Sequence, residues 1–294
     1  MRKMAMSTPG VRDMAWRFVA GENLEIGLAT LRTLNARGIK ATMNYVGTHI
    51  QTVDEAVGAA DAAIECLHRI HQEDLDANVS VKLTHLGIDI DEAICRSQLV
   101  RVLDSAYSTG GFVRIDMEES VYAERTIQLF EEMRLIYGDA VGIVLQSYLH
   151  RTRNDLERLL ESDALIRLVK GGYWESSKLV YRKTADIDVA FICDLEQLLR
   201  RGRHPAIATH DRHAVDEARR IAMKLGLRKE NFEFQMLYGV CEDLQSALVN
   251  EGYKVRSYVP YGPRWYEYFL GCVRRAPGMI IRKPFGLSSR RRSV

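Results

Sequence analysis

Eight short runs rich in β-branched and aromatic residues recur along the chain, and each is followed by a longer stretch whose apolar residues fall three or four apart. They lie at 40–46 (KATMNYV), 78–83 (NVSVKL), 111–117 (GFVRIDM), 141–148 (VGIVLQSY), 166–171 (IRLVKG), 204–209 (HPAIAT), 232–237 (FEFQML) and 253–261 (YKVRSYVPY). Strands joined by helical crossovers run parallel, because a tight turn can only connect antiparallel neighbours. The intervening segments read as amphipathic helices. In 52–72, Val53, Ala56, Val57, Ala60, Ile64 and Leu67 share one face, and Thr52 with Glu55 forms a capping-box start. Asp89 ahead of Asp91 and Glu92, Thr152 with Asp155, and Asp211 ahead of Val215, Ala218, Ile221 and Ala222 mark three further helix beginnings.

Eight β-then-α units within 294 residues are the size of a closed barrel. An open dinucleotide-binding sheet would carry GxGxxG after its first strand, whereas Gly47-Thr48-His49 stands there. The expected fold is therefore α/β, a (β/α)8 TIM-like barrel over 40–285 with an N-terminal helical segment, 1–39. In that segment Phe18, Leu24, Ile26, Leu28, Leu31 and Leu34 would cap the bottom or side of the barrel. The basic tail 286–294, with Arg290-Arg291-Arg292, reads as a solvated end.

Charge and composition narrow the function. Forty-one Lys and Arg against 39 Asp and Glu leave a net charge of +2, too balanced for a protein that binds nucleic acid through its phosphates. No apolar stretch approaches the roughly 18 residues of a membrane span, and no signal-peptide core opens the chain. A cytoplasmic protein is expected, with at most peripheral contact at the inner face of a membrane; a homo-oligomer is compatible with all of this. Five scattered Cys without a CxxC suggest neither a disulfide framework nor a zinc or iron–sulfur site.

In a parallel barrel, chemistry sits where strands end. The polar residues at those ends are Asn44, Lys82, Asp116, Gln146, Tyr148, Arg167, Lys170, Tyr173, Thr209, His210, Gln235 and Tyr258. Lys82 and Asp116 interrupt apolar strands, and either charge alone would be costly inside a barrel, so the two should compensate each other. Such a pair either fixes the barrel's register or faces a ligand. The segment 167–174 (RLVKGGYW) combines two cations, two glycines that allow close backbone approach, and two flat aromatic side chains. That set suits a flavin, whose reduced ring is anionic and is stabilised by a nearby cation. His210 could serve as a base or, with Asp116 and His85, as a zinc ligand in a hydrolase. Glu65, His68 and His71 have metal-site spacing on a helix but read as a solvated outer face.

The runs SVKLTHLG (80–87), FVRIDMEES (112–120), VGIVLQSYLHRT (141–152), RLVKGGYWE (167–175), IATHD (207–211), FEFQMLYG (232–239) and YVPYG (258–262) resemble the proline dehydrogenase family in order and spacing, over about residues 17–285. The resemblance implies a flavin-binding barrel that oxidises the C–N bond of proline, or of a related amine or amino acid, to the imine by hydride transfer to N5 of FAD. It implies an electron acceptor that is a quinone or oxygen. It places FAD contacts at Asp116, Gln146, Arg167, Lys170, Gly171, Gly172, Tyr173, Trp174, Thr209, His210 and Gln235, and substrate contacts at Lys82, Asp116, Tyr173, Leu237, Tyr258 and Tyr268, with Arg167 beside flavin N5. Two features depart from the family. Its consecutive arginines, which clamp the substrate carboxylate, are replaced by Gly271-Cys272, and its glutamate three residues beyond them by Arg275; Arg274, Arg275 or Arg264 would have to take over that clamp. Its acidic pattern after the first strand reads Asn44-Tyr-Val-Gly47-Thr48 here. These departures predict an altered substrate, the alternative being a non-catalytic flavin-binding sensor or scaffold.

Overall fold

The computed structural model describes residues 14–47 and 50–275. Eight parallel strands close into a barrel in sequence order: β1 (Lys40–Tyr45), β2 (Ala77–Val81), β3 (Val113–Ile115), β4 (Val141–Gln146), β5 (Ile166–Val169), β6 (Ala206–Ala208), β7 (Glu233–Leu237) and β8 (Lys254–Tyr261). The seam is the longest pairing, running from Lys40 opposite Arg256 to Tyr45 opposite Tyr261. All eight expected strands are present. Several are shorter than their sequence runs, because side chains rather than ladder bonds take over toward the mouth. Past the end of β3, the Asp116 N–H still donates to the Val81 carbonyl at 2.8 Å, so the charged residues of β2 and β3 stay in register.

The helices are α1 (Leu24–Ala36), α2 (Val53–Gln72), α3 (Glu92–Ser108), α4 (Ala123–Tyr137), α5 (Thr152–Glu161), α6 (Thr184–Arg201), α7 (Arg212–Lys224), α8 (Glu242–Asn250) and α9 (Trp265–Arg275). Thr52 caps α2, its side chain accepting from Glu55 N, while Glu55 accepts from Gln51 N at 2.7 Å. Asp211 caps α7 by accepting from His213 N. Two expected starts resolve differently. Asp91, not Asp89, caps α3, and Asp89 instead accepts from the Tyr122 hydroxyl at 2.6 Å. At α5 the Thr152 hydroxyl donates back to the Gln146 carbonyl at 2.5 Å, and Asp155 pairs with Arg151. That side chain ties the helix to the end of β4, a tertiary demand that sequence spacing does not reveal.

Val79, Val113, Ile115, Ile143, Ile166, Leu168, Ile207, Phe234 and Val255 turn outward and are buried under the helices. α1 lies against the barrel with Leu28, Leu31 and Leu34 buried, whereas Ile26 is 45% exposed because its angular position falls off that stripe. Three described residues before α1 pack against α9: Trp16 meets Trp265 at 4.7 Å between ring centroids, Phe18 stacks near Phe269, and Glu22 accepts from Trp265 Nε1. Arg264, just before α9, pairs with Glu55 of α2 at 2.9 Å. These contacts seat α9 beside the mouth. The 286–294 tail lies outside the described residues.

The lumen is polar rather than apolar. Arg256 bridges Glu233 at 2.9 Å and donates to the Ala41 carbonyl, Gln235 donates to Glu233, and Arg114 donates to the Leu165 carbonyl at 2.6 Å. Burial pulls Arg114 down to about 9. Gly142 makes room for it: a Cβ there would sit 2.7 Å from both the guanidinium and the Leu165 carbonyl.

Candidate active site

A cavity of about 480 Å³ opens at the C-terminal ends of the strands. It is lined by Lys82 from the end of β2, Asp116 and Met117 after β3, Val144 and Gln146 of β4, Arg167 and Val169 of β5, and Lys170, Gly171, Gly172 and Tyr173 of the loop that follows. Ala208 of β6, Thr209, His210 and Asp211 beyond it, Gln235, Met236 and Leu237 of β7, Tyr258 of β8, and Tyr268 and Cys272 of α9 complete it. Apart from Trp174, every residue expected at cofactor or substrate is in this lining. Trp174 is 89% exposed, with Arg182 over its ring at 5.2 Å. In the extended stretch after Gly171 alternate side chains point to opposite sides, so Tyr173 faces the cavity and Trp174 faces out.

Asp116 organises the centre. One carboxylate oxygen accepts from Ser80 Oγ at 2.5 Å and from Arg167; the other accepts from Lys82 Nζ at 2.6 Å and from the Tyr258 hydroxyl at 2.7 Å. Burial alone would raise its pKa, but the Lys82 and Arg167 cations outweigh that and hold the carboxyl well below the usual range. Burial likewise opposes the charged form of Lys82, and Asp116 overcomes it, keeping the ammonium well above its ordinary value. Tyr258 is pushed up by burial and by the adjacent Asp116. Arg167 is 4% exposed, donates also to Ser80 at 3.0 Å and Gln235 at 3.3 Å, and stacks over Tyr258. Three hydrogen-bond partners and the ring of Tyr258 hold this guanidinium in place. Glu118, behind this group, is raised by burial and accepts from Thr84, while its carbonyl accepts from Gln146 at 2.7 Å.

On the opposite wall Lys170 lies between Asp188 at 2.5 Å and Asp211 at 2.6 Å. His210 Nε2 accepts from Leu237 N at 2.8 Å, which leaves the proton on Nδ1. Burial lowers His210 to about 4, so it is a neutral hydrogen-bond donor toward the cavity rather than a base at neutral pH. A folded value below the unfolded one removes stability as pH falls from about 6.5 toward 4. Unfolding free energies of the native protein and His210→Gln, measured by urea at pH 7 and pH 4.5, should therefore differ by roughly 2 kcal/mol less at the lower pH. A pH-independent difference would contradict a neutral, buried imidazole.

The zinc reading finds no ligand set. Among the described residues no group of three His, Cys, Asp or Glu could hold a metal, both Asp116 oxygens face cations, and Glu65, His68 and His71 are on the solvent side of α2. Sequence reasoning missed Asp188, Ser80 and Glu233 as partners. Glu233 carried a usable signal, since with Arg256 it repeats the pattern of a charge interrupting an apolar strand; Ser80 carried none.

A closed parallel barrel with a charged cavity at the C-terminal ends of its strands defines a (β/α)8 barrel enzyme. A sequence profile described as proline dehydrogenase matches residues 27–269. The chain is 34% identical over 280 residues to proline dehydrogenase 2 of Bacillus subtilis strain 168, covering 95% of this chain and 92% of that one. It is 35% identical over 269 residues to proline dehydrogenase of Deinococcus radiodurans, covering 90% and 87%. Among solved structures it is similar to proline utilization A of Bdellovibrio bacteriovorus, with a TM-score of 0.83 and 26% identity; 90% of this chain is covered but only 32% of that one, so the likeness spans about a third of the larger protein. The chain belongs to the proline dehydrogenase family and is an oxidoreductase. No described helix is long and apolar enough to cross a membrane.

Proposed function

We propose that the protein is an FAD-dependent dehydrogenase that oxidises the C–N bond of proline or a proline-like amine to the imine and passes the electrons to a quinone or to oxygen. The observation that carries this reading is the convergence of cofactor and substrate candidates on one cavity, with a fixed cation, Arg167, at its centre. The donor set fits a flavin. His210 offers a neutral Nδ1–H, Arg167 a cation, and Gly172 an open approach, since a Cβ there would meet nothing within 4 Å. Gln146, Arg167, Lys170, Gly171, Gly172, Thr209, His210 and Gln235 would hold the cofactor. FAD supplies, when bound, a hydride acceptor whose reduced ring is anionic.

The protein's own contribution is positioning and charge. Arg167 keeps a positive charge in a site where little water screens it. Lys82, Asp116 and Tyr258 each hold one protonation state through neutral pH. They orient the substrate rather than shuttle protons, and the amine must shed its proton to solvent before it binds. Tyr173, Leu237 and Tyr268 form the remaining wall, against which an apolar ring packs and from which water is displaced.

The test is a visible spectrum of the purified protein with added FAD, followed by anaerobic titration with L-proline and then with prolinamide, proline esters and other cyclic amines. Loss of the flavin band with one of these amines is expected. A protein that takes up no flavin would overturn the reading, and a yellow protein that none of them reduces would favour the sensor or scaffold alternative.

A further inference from the structure

One buried cation of the lumen takes no part in the cavity lining. Arg114 of β3 is 6% exposed and forms no ion pair among the described residues. Its guanidinium donates to the carbonyls of Leu165 at 2.6 Å and Ile143 at 3.3 Å, and it lies 4.7 Å from the centroid of the Phe112 ring. The carboxylates of the lumen are engaged elsewhere: Asp116 faces Lys82 and Arg167, Glu233 faces Arg256, and Glu118 accepts from Thr84. A buried charge without a counter-charge is costly, and an apolar side chain of similar length would fill the same space more stably. The neighbouring strand also gives up a side chain for it at Gly142, and a glycine inside a strand weakens that strand. Backbone satisfaction explains neither choice, because the Leu165 carbonyl already accepts from Ile143 N at 3.0 Å. Placement does explain them. Arg114 lies two residues before Asp116, and its guanidinium reaches Leu165, two residues before Arg167. Two residues of strand are roughly 7 Å, so a second guanidinium stands one layer beneath Arg167, away from the solvent that would screen it. Arginine keeps its proton in such surroundings; burial and the nearby Arg167 charge lower it only to about 9, and it remains a cation at neutral pH.

We infer that Arg114 sets the electron affinity of the site from below: its charge, acting through the dry lumen and without touching cofactor or substrate, stabilises the reduced, anionic flavin and raises the cofactor's reduction potential. The inference rests on the dehydrogenase reading above and adds a residue to it that the cavity lining does not contain. Charge placed near the ring is the protein's main lever on a flavin's electronics. A unit charge about 10 Å from an anion, at an effective dielectric of about 20, favours that anion by on the order of tenfold. The amine oxidation itself is unchanged, since Arg114 alters only how strongly the ring holds the electrons it receives.

The test is the midpoint potential of the FAD-loaded protein, measured by equilibrium titration against reference dyes with no amine present. Arg114→Met keeps the length of the side chain and removes its charge. It should favour the oxidised form by about tenfold, which lowers the two-electron potential by about 30 mV. Glu233→Gln removes an opposite charge from the same lumen while keeping the oxygen that accepts from Arg256 and Gln235, and it should shift the potential upward. A role confined to packing gives a different pattern: melting temperatures fall in both variants, and the potentials either stay put or move in one direction. Opposite shifts in the two variants are therefore the expected result. Unchanged potentials, or shifts of the same sign, in variants that hold FAD would overturn the inference and leave the dehydrogenase reading standing. If Arg114→Met does not fold, Glu233→Gln reads the same field alone, and the absence of an upward shift overturns the inference. A native protein that takes up no flavin would overturn the dehydrogenase reading instead.

Discussion

Asp116→Asn should lower the unfolding free energy by roughly 3–5 kcal/mol, the cost of leaving buried charges without their partner. The replacement keeps the shape and removes the charge. Two cations then remain, Arg167 at 4% exposure and Lys82 with a side chain 18% exposed, with no carboxylate between them. Ser80 and the Tyr258 hydroxyl donate to different oxygens of Asp116, so Asn keeps an acceptor for only one of them, and the lost hydrogen bond adds to the larger cost of the two stranded cations. Urea unfolding of the cofactor-free protein measures it, and a double-mutant cycle assigns it. Lys82→Met removes one of the stranded cations, so it should cost clearly less in the Asp116→Asn background than in the native one. Equal costs in both backgrounds would show that the pair does not interact, and a loss below about 1 kcal/mol for Asp116→Asn would place the carboxylate in solvent-like surroundings.

The same physics explains what could be read from the chain beforehand. Lys82 and Asp116 were legible because a charge within VSVKL or VRIDM has nowhere to go except into the lumen, and one such charge demands another. Arg114, Glu233 and Arg256 obey that rule too, and their network below the mouth follows from applying it to every strand. Strand existence was readable from the eight β-branched runs, but strand ends were not. Where β3 stops at Ile115, Asp116 continues the pairing by one bond only, a balance between ladder and side-chain contacts that composition does not encode. Asp188 was not legible, because it reaches Lys170 from a helix that starts at Thr184, across a loop without regular structure. Trp174 lies outside the cavity lining because adjacency to Tyr173 in the sequence becomes opposition in an extended backbone.

The neighbouring glycines make separable predictions. Gly171 has φ of +101°, and a Cβ there would overlap the Tyr148 ring. That ring cannot yield easily: Tyr148 is 4% exposed and its N–H donates to the Lys170 carbonyl at 2.8 Å. Gly171→Ala should therefore cost about 1–3 kcal/mol even without cofactor, through an unfavourable backbone angle and a steric clash. The segment would shift, carrying Lys170 and Tyr173 away from the cavity, and FAD affinity should fall by more than about tenfold, a change of about 1.4 kcal/mol in binding. Gly172→Ala is the contrast. Its Cβ meets nothing within 4 Å, so thermal stability without cofactor should be unchanged or slightly higher through reduced chain entropy in the unfolded state. If the backbone at Gly172 lies against a flavin, that same methyl group should weaken FAD binding. Melting curves with and without FAD distinguish the two positions: both apo and holo forms should drop for Gly171→Ala, and only the FAD-induced gain should shrink for Gly172→Ala. A full FAD-induced gain in Gly172→Ala would move the cofactor away from this loop and leave Arg167, His210 and Gln235 to define where it binds.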